Sequence, residues 1–200
     1  SERIETIGTP LAKIFVDRPI VPIKRQVEKV LYAGRLSLEK GIQKIISAAR
    51  AIPDLEFVFA GEGPLRKELE NQCKNLKNVT FLGWISRNEL VDRIDECQIM
   101  VLPSTIETFG TSALEGMSRG RIIIISGEAG ITSWSSLDNM YINNGEFESL
   151  TDTIEHVIYL DELDRVSLCN KVPQVVKQFN QETISRWIEI LMQTYESKIF

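Results

Sequence analysis

Between residues 29 and 126 the sequence repeats one rhythm: a short β-branched or aromatic run, a glycine or another turn residue, then a longer stretch with helical spacing. The runs are KVLYAG (29–34), LEFVFAG (55–61), NVTFLGW (78–84), QIMVLPS (98–104) and RIIIIS (121–126), with NMYIN (139–143) a weaker sixth. Helices are predicted between them at about 38–52, 64–76, 86–96 and 109–119. Strands that are apolar on both faces and joined by helices form a parallel sheet covered on both sides. A ligand site on such a sheet lies at the carboxyl ends of its strands.

Two local signals support the helix positions. Ser86 with Glu89 three residues later reads as a capping box, and Pro64 fits a first helical turn, where its missing N–H costs nothing. After residue 145 the pattern becomes all helical, at about 146–160, 161–179 with Pro173 kinking or dividing it, and 181–198. The expected fold is therefore α/β: a Rossmann-like parallel sheet sandwiched by helices, with a C-terminal helical tail. Residues 1–27, with Pro10, Pro19 and Pro22, read as a lead-in segment or interdomain linker, in which KIFVD (13–17) is a candidate edge strand; residues 28–200 form the domain. The chain opens on Ser1 in mid-phrase, as a fragment of a longer polypeptide would.

Composition removes several functions. A net charge of −5 and the lack of a dense basic patch argue against nucleic-acid binding. Cys73, Cys97 and Cys169 are too scattered for a disulfide framework or a zinc site, and fit a reducing compartment. The longest apolar run, RIIIIS, is far shorter than the ~20 residues of a membrane span. His156, the only histidine, falls in a tail helix remote from the strand ends.

The strand ends carry the chemistry. After the first strand, Gly34 permits a tight turn, and Arg35 and Lys40 put two cations at the carboxyl edge, where a diphosphate would suit them; a surface pair flanking a helix start is the alternative. Gly61 and Gly63 follow the second strand, where a ligand or another backbone can approach closely. Gly83 ends the third, beside Trp84 and Ile85. After the fourth strand comes STIETFGTSALEGMSRG (104–120), which places Glu107 in the loop, a helix start near Phe109–Gly110, and Glu115 further along. A helix start presents unpaired N–H groups and the positive end of the dipole to an anion. Eight helical residues would separate the two carboxylates by about 12 Å, near the span of a nucleotide sugar from hexose to ribose. In isolation, the same spacing also fits a glutamate favouring the helix dipole and a second, solvated one.

Taken together, GRLSLEKG, FAGEGPL, VTFLGWIS, LPSTIETFGTSALEGMSRG and the final TYE helix resemble the carboxyl-terminal domain of GT-B fold retaining glycosyltransferases of group 1, or family 4, over about residues 29–197. The resemblance is most specific at Pro103, Ser104, Glu107, Phe109, Gly110, Leu114, Glu115, Met117 and Gly120, which fit that family's E-x7-E signature. It implies one half of a GT-B fold that binds a UDP, GDP or ADP sugar and transfers a hexosyl unit with retention. In that scheme Glu107 faces the donor sugar, Glu115 binds ribose, Arg35 and Lys40 hold the diphosphate, Gly83 to Ile85 lie near the base, and Gly34, Gly61, Gly63, Thr108, Phe109, Gly110 and Thr111 border the donor. No metal or other cofactor is implied. The partners are the donor and an amino-terminal acceptor-binding domain absent from this chain, and the location is cytoplasmic, with peripheral membrane association through the full-length protein. The last helix is expected to expose apolar surface. Two features depart from the family: Arg121 stands where proline is usual, and Ser133 stands at an acidic position beyond the fifth strand. The alternative is a non-catalytic nucleotide-sugar-binding or regulatory module acting with a partner chain. A glycosidase would leave the cations and the helix-start glycine unexplained, and a GT-B epimerase or phosphorylase would need acid/base or cofactor features not found in the sequence.

Overall fold

The computed structural model describes residues 7–196. Six strands form one parallel sheet: β1 (Lys29–Ala33), β2 (Glu56–Ala60), β3 (Val79–Gly83), β4 (Ile99–Leu102), β5 (Ile122–Ile125) and the short β6 (Ile142–Asn143), in the order β3-β2-β1-β4-β5-β6. The order reverses between β1 and β4, the switch point at which adjacent loops diverge and leave a crevice.

Successive strand residues alternate between the faces, and each face packs its own layer of helices. Leu31, Val58, Met100 and Ile123 face α4 (Arg87–Glu96), α5 (Thr111–Ser118) and the long α7 (Glu162–Glu196). Val30, Phe57, Ile99 and Ile124 face α2 (Ile42–Ala51), α3 (Arg66–Cys73) and α6 (Leu150–Tyr159). Every residue of β4 and β5 is at most 5% exposed, which explains the unbroken IIII of β5. Burying each such side chain contributes about 1.5–3 kcal/mol, enough to favour the central position of these strands.

Several expected boundaries move. KIFVD is not an edge strand but a short helix, α1 (Lys13–Asp17), whose Phe15 is buried with Leu11 against the core, so the lead-in segment is built into the domain. Helix α4 starts with the expected capping box: Glu89 N donates to Ser86 Oγ and Ser86 N to Glu89. The predicted helix at 38–52 is split, a single 3-10 turn at Leu38–Lys40 being followed by α2, because Gly41 takes a left-handed conformation between them. Pro64 lies in the turn before α3, which begins at Arg66. In the tail, Pro173 neither ends nor divides the helix: α7 runs through it for 35 residues, held by packing against α5. Residues 197 and 198 of the predicted last helix lie outside the described residues. Toward its end Ile188, Leu191, Met192 and Tyr195 are exposed. Among the described residues no helix is long and apolar enough to cross a membrane.

Candidate functional site

A cavity of about 530 Å³ opens at the carboxyl edge of the sheet, at the β1/β4 switch. Its volume falls within the ~300–1,000 Å³ of small-molecule sites. Each of the first four strands contributes to its wall. Gly34, Arg35 and Lys40 come from the β1 end, Gly61 from the β2 end, Trp84 and Ile85 from the β3 end, and Glu107, Thr111 and Glu115 from the β4 loop and α5. The floor is stitched across strand ends, Gly34 N donating to Ala60 O at 2.9 Å and Gly61 N to Gly83 O at 2.8 Å. Trp84, 77% exposed, borders the cavity rather than joining the core.

The basic and acidic residues meet at one end. Lys40 Nζ lies 2.8 Å from Glu107 Oε2, with side chains only 21% and 15% exposed. A half-buried pair like this satisfies both charges within the protein. Arg35 is exposed at the same edge. Its carbonyl accepts a hydrogen bond of 2.7 Å from the Tyr32 hydroxyl, which fixes the turn after β1. Burial, with Glu107 and Glu39 close by, pushes the Tyr32 phenol well above its usual range, so it remains a donor at neutral pH.

Glu115 is the electrostatic outlier. It sits in the second turn of α5, half-buried, and loss of solvent pushes its carboxyl up to about 7 against the opposing field of Arg87. A carboxyl in this position gains from ligand hydroxyls that replace the missing water. The predicted geometry between Glu107 and Glu115 is revised: α5 begins at Thr111, so residues 108–110 between them are loop and only residues 111–114 are helix, and helical rise alone does not set their separation.

Five predicted residues do not line the cavity wall. Gly63 packs against the backbone of Leu36, and Gly83 lies against Glu62 and Arg66. Gly110 is the N-cap of α5 at φ 96°, a conformation that favours glycine, and is buried against Ile131 and Leu102. Thr108 is exposed, and its carbonyl abuts Gly130 so closely that a Cβ there would stand 1.9 Å away. Phe109 turns inward, stacking on Phe179 at 6.4 Å and meeting the edge of Trp134 at 6.4 Å. Glu107 also forms a parallel bridge with Ala129, and Gly130 N donates to Glu107 O at 3.1 Å. These contacts hold the glutamate loop in place, so Phe109 and Gly110 shape the site indirectly. Sequence reasoning passed over the wall residues Tyr32, Glu62, Leu90 and Ser112, and named Ser104 as a motif position without giving it a place in the site. The burial pattern hid Tyr32, which reads as an ordinary strand aromatic, whereas Ser104 and Ser112 were legible as polar residues at a strand end and a helix start.

The chain matches the model of the family described as "Glycosyl transferases group 1" over residues 14–165. It is 30% identical over 159 residues to the 2-deoxystreptamine N-acetyl-D-glucosaminyltransferase of Niallia circulans, covering 75% of this chain and 41% of that protein. Among solved structures it is similar to the C-terminal domain of the group 1 family protein LpcC from Francisella tularensis, with a TM-score of 0.62, 26% identity, and coverage of 79% of this chain and 87% of that one. It also superimposes on Anabaena HepE in complex with UDP and glucose, with a TM-score of 0.67 over 82% of this chain and 48% of that one; at 22% identity this shows the fold alone. The chain spans between 31% and 41% of the length of the curated relatives it matches first. With its single Rossmann-like sheet, its helical tail and a match covering most of its length, this chain belongs to the glycosyl transferases group 1 family and has the fold of one half of a GT-B enzyme.

Proposed function

We propose that the chain is the donor-binding half of a glycosyltransferase that transfers a hexosyl unit from a nucleotide diphosphate sugar with retention of configuration. The observation that carries this reading is one cavity holding Arg35, Lys40 and the start of α5 together with two carboxylates, Glu107 paired to Lys40 and Glu115 raised by burial. Two cations and oriented helix N–H groups suit a diphosphate, and carboxylates accept from sugar and ribose hydroxyls. As the bond from the anomeric carbon to the leaving oxygen breaks, Arg35, Lys40 and the α5 amino end stabilise the charge gathering on the diphosphate. Glu107 orients the hexose, and a leaving phosphate oxygen takes the proton of the acceptor hydroxyl as that hydroxyl bonds to the same face of the sugar. The reading requires no cofactor. An amino-terminal domain supplies the acceptor side, so this chain alone binds donor without turnover, and the whole protein works in the cytoplasm or at the cytoplasmic face of a membrane.

HepE was solved with UDP, so UDP is the first ligand to try. Calorimetric titration with UDP, GDP and ADP is expected to give saturable binding to one of them, weakened by both Glu115→Ala and Arg35→Ala. A folded chain that binds none, or whose binding ignores both substitutions, would refute the donor site.

A further inference from the structure

Among the described residues, Ser104 Oγ is the one buried side-chain nitrogen or oxygen atom with no hydrogen-bond partner. Ser104 is 1% exposed and lines the cavity at the end of β4. A buried hydroxyl left unpaired costs about 1–3 kcal/mol, so such atoms are rare unless a ligand or solvent completes them.

The Ser104 carbonyl and the neighbouring Thr105 are both held within the protein. Ser126 Oγ donates to the Ser104 carbonyl at 2.5 Å. On the other side, Thr105 N and Thr105 Oγ1 both donate to Glu39 O, at 2.8 and 3.2 Å. The backbone at Ser104 is thus tied to the β5 end and to the turn that carries Lys40, while Glu107 follows three residues later. The torsion about the Cα–Cβ bond places the hydroxyl oxygen, and rotation about Cβ–Oγ aims its proton. Ser104 lines the same cavity as the Lys40–Glu107 pair and Thr111 at the start of α5, where a ligand's negative charge would be held.

Resting on the donor-site reading above, we propose that the Ser104 hydroxyl is a further ligand of the donor, donating to the sugar-side (β) phosphate of its diphosphate at the Lys40 end of the cavity. A neutral O–H donating to a phosphate oxygen adds a charge-assisted bond without adding a third cation. It also relieves the unpaired atom, so the site forms one more bond when occupied than when empty.

The test is Ser104→Ala in the 200-residue chain. Since the variant removes an atom that bonds to nothing in the protein, its thermal unfolding midpoint should match or exceed that of the parent. Titration with UDP, GDP and ADP should show the diphosphate that binds the parent weakened about tenfold, while the matching monophosphate (UMP, GMP or AMP) keeps its affinity. Unchanged diphosphate binding would overturn the inference while leaving the donor site standing. An equal loss for mono- and diphosphate would place the hydroxyl elsewhere on the ligand, and a fall in the unfolding midpoint would reveal a structural bond; each overturns it. A parent chain that binds no nucleoside diphosphate would overturn the donor-site reading itself, and this inference with it.

Discussion

Replacing Glu115 with glutamine separates the electrostatic cost of the site from the rest of the fold. Burial raises this carboxyl from an ordinary 4.5 to about 7. The folded protein therefore holds a proton that the unfolded chain releases, and the sign follows: the contribution to stability is fully present below pH 4.5 and is lost as pH rises through 7. At about 1.4 kcal/mol per pH unit, the loss over that interval approaches ~3 kcal/mol. Glutamine keeps the shape and carries no charge. The unfolding free energies of the parent and Glu115→Gln should be offset by a constant below pH 4.5, and the variant should then gain on the parent progressively, by up to ~3 kcal/mol at pH 8. Urea unfolding at pH 4.5, 6, 7 and 8 measures this directly, and taking the difference between the two proteins cancels every titration they share. Curves that stay parallel across the range would refute the argument that Glu115 is held in a desolvated pocket. The same substitution bears on binding: if ribose hydroxyls donate to the carboxylate, the affinity of the parent for its diphosphate, relative to that of Glu115→Gln, should rise between pH 6 and 8.

Asp95 sits between Arg119 and Arg121, whose side chains are 0% and 1% exposed; Asp95→Ala leaves two buried cations without their carboxylate and should cost about 3–5 kcal/mol in chemical denaturation, and a loss under 1 kcal/mol would show that the arginines are satisfied without it. Gly130→Ala would put a Cβ 1.9 Å from the Thr108 carbonyl, so the glutamate loop must shift; the expected results are a lower unfolding midpoint and diphosphate binding weakened at least tenfold by calorimetry, and unchanged binding would show that the contact with Gly130 does not position Glu107.

The sheet, the order of its helices and most of the cavity wall were legible because each depends on local pattern. Strand-length apolar runs, the Ser86–Glu89 cap and glycines at strand ends all act over a few residues. What the sequence hid depends on contacts distant in the chain. KIFVD has strand-like composition, yet Phe15 finds its partners on α4 and α5, and packing decided for a helix. Pro173 carries a local signal for a break, but the tertiary contact between α5 and α7 overrides it. Phe109 sits in the most recognisable motif of the chain and still points away from the cavity, since Trp134 and Phe179 offer it an aromatic surface that no local rule announces.

The two departures from the family pattern have different fates in the structure. Ser133 lies in a 3-10 turn and is exposed. Arg121, where proline is usual, is fully used: its guanidinium donates to the carbonyls of Arg119, Cys97 and Val21, while Arg119 grips Asp95 through two bonds and also reaches Arg18 O and Pro19 O. This cluster fastens the lead-in segment to the amino ends of β4 and β5, opposite the cavity. Both edges of the sheet thus bury polar groups, and bond accounting separates them. At the amino edge the guanidiniums meet carboxylate or carbonyl oxygens of the protein itself, as a purely structural role demands. At the carboxyl edge Glu115 is raised by lost solvent, Lys40 is held by the Glu107 carboxylate, and the Ser104 hydroxyl has no partner. A desolvated carboxyl and an unpaired buried hydroxyl on one cavity wall are what the proposed donor site requires, since a ligand there would supply the bonds the protein does not.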